Sequence, residues 1–204
     1  MRLFAPSQGV THNFWQNYTD LMSGLMIIFL IASLGYIVSQ DDSRKIKAIL
    51  TAQKELGEKS AYFTYNEKYN RFECKVDVLF PAYSICHNET EASTIPHSVE
   101  PELVAAGKEL KDFIKVQKEK YDGIDFEIII DGRVAGTGGE VFGAKLSALR
   151  AYSLYRLWNQ QGLFDNTKDN IHAAGSGFGG VGRYPKNFNK NRTFIISVIP
   201  FLKK

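Results

Sequence analysis

The sequence predicts one membrane-spanning helix followed by an α/β sandwich domain. Two observations predict it. A run of about 18 mostly apolar residues, 21–38, is the chain's one hydrophobic span and matches the length a helix needs to cross a bilayer. Behind it, strand-like runs alternate with helical periodicity through roughly 150 residues, enough to bury a single core, and this alternation places helices on a sheet. With 204 residues, net charge +3 and pI near 8.7, the chain is only mildly basic. Its Lys and Arg are dispersed, so nucleic acid is not an expected partner.

The elements follow in order. Residues 1–15 read as a polar tail containing Pro6, Ser7 and Gly9. Residues 16–39 read as the transmembrane helix, with the apolar part covering about 27 Å at 1.5 Å per residue. A cleaved signal peptide is the competing reading. Against it stand Arg2 as the sole leading positive charge, Asp20 at the start of the span, and the lack of a small-x-small cleavage site. Arg44, Lys45 and Lys47 outnumber Arg2, and taken alone that count places the C-terminal side in the cytoplasm.

A polar break is expected at 39–42, and residues 40–58 then read as a linker or plug helix with Ile46, Ile49, Leu50 and Leu56 on one stripe. That stripe suits a second copy, the membrane surface, a partner's pore or ordinary packing. The soluble domain covers 59–204. It opens with a hairpin, strands 61–65 and 71–80 around a turn at 66–70. An irregular loop, 81–96, leads to a helix over 99–118 whose core side carries Leu103, Val104, Leu110, Phe113 and Ile114. A buried strand at 126–130, a Gly-rich loop at 132–139 and a helix at 140–160 follow, the helix with Leu146, Leu149, Leu154, Leu157 and Trp158 as core candidates. Gly162 is the helix stop. Strands at 171–174 and 193–199, separated by the Gly-rich 175–182, complete the pattern.

Asp20 is the residue that calls for an explanation, because a carboxylate in a membrane span is costly and usually serves ion transfer or a polar contact. The plainer reading is a helix N-cap. Thr19 and Ser23 flank it and either help hold an ion or water, or bond helix carbonyls. Trp15 and Tyr18 suit an interfacial belt. Cys74 and Cys86 either close a disulfide or remain two buried thiols. His12, His87, His97 and His172 are scattered and no metal-type cluster surrounds the cysteines, so no metal is expected. The 132–139 loop lacks the Gly-Lys-Ser/Thr ending of a phosphate loop. Ser147 has no evident base, so an enzyme is not expected.

The run Phe142-Gly143-Ala144-Lys145-Leu146-Ser147-Ala148-Leu149-Arg150-Ala151 resembles the Tyr-Asn-x-x-Leu-Ser-x-x-Arg-Ala motif of the MotB and OmpA-like peptidoglycan-binding family. Val78-Leu79-Phe80, Gly175-x-Gly177 and Asn191-Arg192 fall in the family's order. The segment Phe14-Trp15-x-x-Tyr18-Thr19-Asp20-Leu21-Met22 looks like the membrane helix of motor stator B subunits, most of all that of ZorB, from the Zorya anti-phage defence systems.

The resemblance implies a single-pass inner-membrane protein, N-terminus cytoplasmic and OmpA-like domain periplasmic. It further implies a homodimer inside five polytopic A subunits of ZorA or MotA type, in contact with membrane lipid and peptidoglycan. Asp20 would carry the translocated proton, or sodium, and no cofactor is implied. A carboxylate at a protein interface can be neutral in one ring position and charged in the next, and moving a charge through the membrane potential releases about 2.3 kcal/mol per 100 mV.

In the wall-binding site the resemblance implies Phe142, Gly143, Leu146 and Arg150. The pattern departs from the family in two places. Aligned on Gly132, the Gly-His-Thr-Asp loop becomes Gly132-Arg133-Val134-Ala135, so Ala135 replaces the aspartate, and Gly143 replaces the asparagine. Either Arg150 binds the wall peptide without its acidic partner, or the domain keeps the fold and has lost the ligand. A flagellar-type stator and a passive membrane-to-wall tether are the alternative functions.

Overall fold

The computed structural model describes residues 11–81, 86–135, 139–165, 167–180, 182–184 and 188–203. The chain forms two compact units, one ending at Lys45 and one running from Ile46 to Lys204. The fold class is the expected one: a long apolar N-terminal helix and a mixed α/β sheet domain.

Helix α1 spans Thr11–Lys59. In the first unit it carries a window of mean hydropathy 2.3, none of it buried, so the helix is long and apolar enough to cross a membrane. Residues 1–10 of the expected tail lie outside the described residues. The polar break expected at 39–42 does not interrupt the helix. Ser43 Oγ donates to the Ser39 carbonyl at 3.0 Å and Lys45 pairs with Asp41 at 2.8 Å. These i,i+4 pairs, with neither Gly nor Pro in the stretch, let polar residues continue the helix rather than end it.

The second unit is a five-stranded sheet built from β1 (Phe63–Asn66), β2 (Arg71–Cys74), β3 (Ile124–Gly132), β4 (Asn170–Gly175) and β5 (Phe194–Leu202). Their spatial order is β1-β2-β5-β3-β4. β1 and β2 form the expected hairpin, turning through Asn70 at φ 46°. β2 is shorter than the sequence suggests, because pairing stops at Cys74. Val76, Val78 and Phe80 remain buried in the chain beyond it, where the amides of Val78 and Phe80 donate to the carbonyls two residues back.

Helix α2 (Glu100–Lys120) joins β2 to β3, and α3 (Glu140–Gln160) is the crossover between the parallel pair β3 and β4. β3 points Ile124, Phe126, Ile128 and Ile130 into the core, where they meet Leu103, Leu110, Leu154 and Trp158. The Trp158 indole donates to the Leu103 carbonyl at 2.8 Å, tying α3 to α2. Gly162, at φ 65°, ends α3: its amide donates to the Asn159 carbonyl at 2.9 Å and that of Leu163 to Trp158 at 2.9 Å.

The last turns of α1, residues 46–59, belong to this unit. Ile49 and Gln53 are fully buried, and Gln53 Nε2 donates to the Val198 carbonyl at 2.7 Å. β2 pairs with β5 only at Ile195 and Ile196, so the side-chain amide takes over the free edge of β5 where the neighbouring strand has ended.

Candidate functional site

Asp20 stands about two and a half turns inside α1, exposed, and the first turn of the helix carries no acid. It is therefore not an N-cap. Thr19 Oγ1 donates to the Trp15 carbonyl at 2.8 Å and Ser23 Oγ to the Thr19 carbonyl at 2.7 Å, so both hydroxyls are bonded to their own helix. Helical spacing puts Gln16, Asn17, Ser23 and Gly24 on the face of Asp20, a polar and small-residue face on an otherwise apolar rod. Phe14, Trp15 and Tyr18 form an edge-to-face aromatic row on the same turns.

The four residues expected at the wall-binding site all lie on α3. Leu146 packs with Ala92 and Val134 in a small cluster, against which Phe142 and Phe178 lie. Gly143 is buried because the Phe178 ring occupies the place its Cβ would take, and this is why the family's asparagine has no room here. Two further glycines let α3 press onto the sheet. A Cβ on Gly132 would collide with the Ser147 carbonyl, and one on Gly175 with the Ala148 amide.

Arg150 departs from the expectation of a ligand-gripping side chain. It is 2% exposed. Nε and Nη2 each donate to the Ala92 carbonyl at 3.2 Å, Nη1 to Arg133 at 3.2 Å, and Nη2 to Pro81 at 3.3 Å. Its guanidinium sits 4.7 Å from the centroid of the Phe80 ring. The cause is its place on the stripe Gly143, Leu146, Arg150, Leu154 and Trp158, which faces inward along the whole helix. Burial, then the neighbouring Arg192, pushes its pKa down to about 10, so it is still charged at neutral pH. Arg150 thus ties the end of β3 to the chain on either side of residues 82–85, which lie outside the described residues.

Sequence reasoning missed the arginines around it. Arg133 is buried, with Nη1 donating to the Gly182 carbonyl at 3.3 Å and Nε 3.6 Å from Asp131. Arg183 donates to the carbonyls of Gly177, Gly179 and Val134 at 3.0, 3.2 and 2.6 Å. Arg71 is buried over the Tyr69 ring and bonds Glu73 at 3.2 Å. Asp131 accepts from the Ser176 amide at 2.9 Å and its hydroxyl at 2.6 Å. Ala135, in the place of the family aspartate, is half-buried. The signal available in the sequence was the concentration of arginines in the loops at one end of the strands.

The cysteines are not joined in a disulfide and lie in separate places, Cys74 against the main core and Cys86 against the Leu146 cluster. The disulfide alternative is corrected accordingly. Burial pushes the Cys74 thiol up to about 11, which keeps it protonated and inert. Among the described residues no group of His, Cys, Asp and Glu could hold a metal.

No family model and no curated protein matches the sequence. Solved structures similar to this chain include a MotB-like protein from Desulfovibrio vulgaris, 15% identical, covering 78% of this chain and 91% of that one, with TM-score 0.45. The C-terminal domain of Helicobacter pylori MotB is 16% identical over 60% of this chain and 84% of that one, at TM-score 0.41. The peptidoglycan-associated lipoprotein from Burkholderia pseudomallei is 14% identical over 61% and 90%, at TM-score 0.39.

Proposed function

We propose that this chain is the B subunit of an ion-driven inner-membrane motor of the Zorya anti-phage type. In this reading two copies stand inside a ring of polytopic A subunits, and the α/β domain contacts peptidoglycan from the periplasm. The observation that carries the proposal is Asp20, held in the interior of an apolar, unburied helix on a face of polar and small residues. A tether has no use for a carboxylate there, and a helix cap would sit at the first turn. The Leu146-Ser147-x-x-Arg150-Ala151 motif and the Phe14 to Met22 segment support the same reading.

Asp20 carries the proton by exchanging between a neutral and a charged form at the ring interface, so Asp20→Asn keeps the complex assembled and abolishes phage protection. The primary test is the native mass of the detergent-extracted complex after co-expression with the polytopic protein encoded beside it. A mass of five partner chains and two copies supports the motor; a monomer or lone dimer sinks it. A phage-protection assay run beside a motility assay separates the defence motor from a flagellar one. Retention on purified sacculi tests wall contact, with Phe142, partly buried against the Leu146 cluster, as the residue to vary and Arg150 as the group that shapes the neighbouring loops.

A further inference from the structure

A pocket lies between the end of β2 and the start of β5, separate from the Phe142–Leu146 cluster. It has a volume of about 380 Å³. Lys75, Arg133, Lys190 and Arg192 line it, facing two carboxylates, Glu73 and Asp77. Glu73 is already bonded to Arg71 at 3.2 Å and to Asn66 Nδ2 at 2.9 Å. Lys190 is exposed, Arg192 is half-buried and Arg133 is buried, so positive groups extend from the mouth to the floor, while the exposed Lys75 donates its ammonium to the Ser60 carbonyl at 2.7 Å.

Positive charge also accumulates behind the pocket wall. Arg183 and Arg150 satisfy their donors on backbone carbonyls, which complete hydrogen bonds without cancelling charge. The Arg133 guanidinium is pushed down by burial and then by Arg71, with Asp131 opposing and Arg183 adding to the depression. Asp131 and Glu73 offset Arg133 and Arg71, and Asp77 adds a third carboxylate, yet the arginines and lysines still outnumber the carboxylates. An anion would offset that excess, and guanidinium forks match planar and tetrahedral oxyanions.

We propose that this pocket is a binding site for an oxyanion, a carboxylate or phosphate group, held by Arg133 and Arg192 with Lys190 at the mouth. The proposal does not depend on the motor reading, since the site is complete within the α/β unit of one chain.

The test uses the full chain in detergent, with inorganic phosphate as probe, acetate as the carboxylate probe and chloride at matched ionic strength as control. Phosphate is expected to raise the melting midpoint by about 3 °C or more over chloride at saturating concentration. A response to phosphate alone assigns a phosphate ester, and a response to acetate as well assigns a carboxylate source. The double variant Lys190→Gln, Arg192→Gln is expected to lose the shift, whereas Lys111→Gln, on α2 and outside the pocket, keeps it. Should the double variant not fold, the exposed Lys190→Gln alone must at least halve the shift. Equal midpoints in phosphate, acetate and chloride, or an undiminished shift in the pocket variants, overturn the proposal.

Discussion

Replacing Arg150 by lysine keeps the charge and removes the fork. The guanidinium makes four hydrogen bonds to three carbonyls, those of Ala92, Arg133 and Pro81, from donors spread across a plane. An ammonium is a point donor on a flexible stem and cannot reach all three. Two carbonyls are left without their partner, each at about 1–3 kcal/mol, and the Phe80 stack is lost as well. A loss of about 3 kcal/mol is expected, in the lower half of the resulting range of about 2–6 kcal/mol because water partly rescues the carbonyls. For a domain of this size that lowers the melting midpoint by about 6–12 °C. Differential scanning calorimetry of the full chain in detergent measures it, with sacculus retention assayed below the lowered midpoint. The reasoning is refuted if Arg150→Lys melts within about 2 °C of the parent. A variant that melts normally yet loses sacculus retention would instead make Arg150 a ligand contact.

Restoring the family asparagine by Gly143→Asn drives a side chain into the Phe178 ring and is expected to cost about 1–3 kcal/mol, read from urea midpoints. Adding Phe178→Ala should return part of that loss, and an additive pair would show that the ring is not the obstacle. At Asp125, burial pushes the carboxyl up, but the Lys118 ammonium at 2.5 Å, the Phe126 amide and Lys203 outweigh it and hold the carboxyl below its usual range. Its stabilising contribution is therefore present above the unfolded value of about 3.9 and lost as pH falls through the folded one. Urea midpoints followed from pH 6 downward should fall more steeply for the parent than for Asp125→Asn below about pH 4; parallel curves would contradict this.

Most of the second unit was legible because its signals are local. The 3.6-residue spacing of Leu103, Leu110 and Ile114, and of Leu146, Leu154 and Trp158, marks two helices whose inner faces the structure buries. The β-branched run within β3 and the Gly162 stop are equally direct. What was missed depends on partners distant in sequence. Arg150 reads as a ligand contact until Ala92 and Pro81 are brought to it from 58 and 69 residues away. Gly143 looks like a lost ligand until Phe178 is seen in its place. The polar stretch at 39–42 looked like a break because composition does not register the i,i+4 pairs that carry a helix through it. Asp20 was legible as a residue needing a role, while its place inside a helix already formed at Thr11 required the structure.

Gln53 bears on where the soluble part can be cut free. The sequence puts that boundary near residue 59, after the helix, yet the compact unit begins at Ile46. A fragment starting at 59 would lack Ile49 and Gln53, opening the hydrophobic interior and uncovering the Val198 carbonyl on a bare stretch of β5. Bare strand edges recruit other strands, so such a fragment would be prone to self-association, with Ile199, Phe201 and Leu202 already exposed alongside. The final turns of α1 thus serve as a fitted end-piece to the sheet, and a monodisperse soluble fragment must keep them.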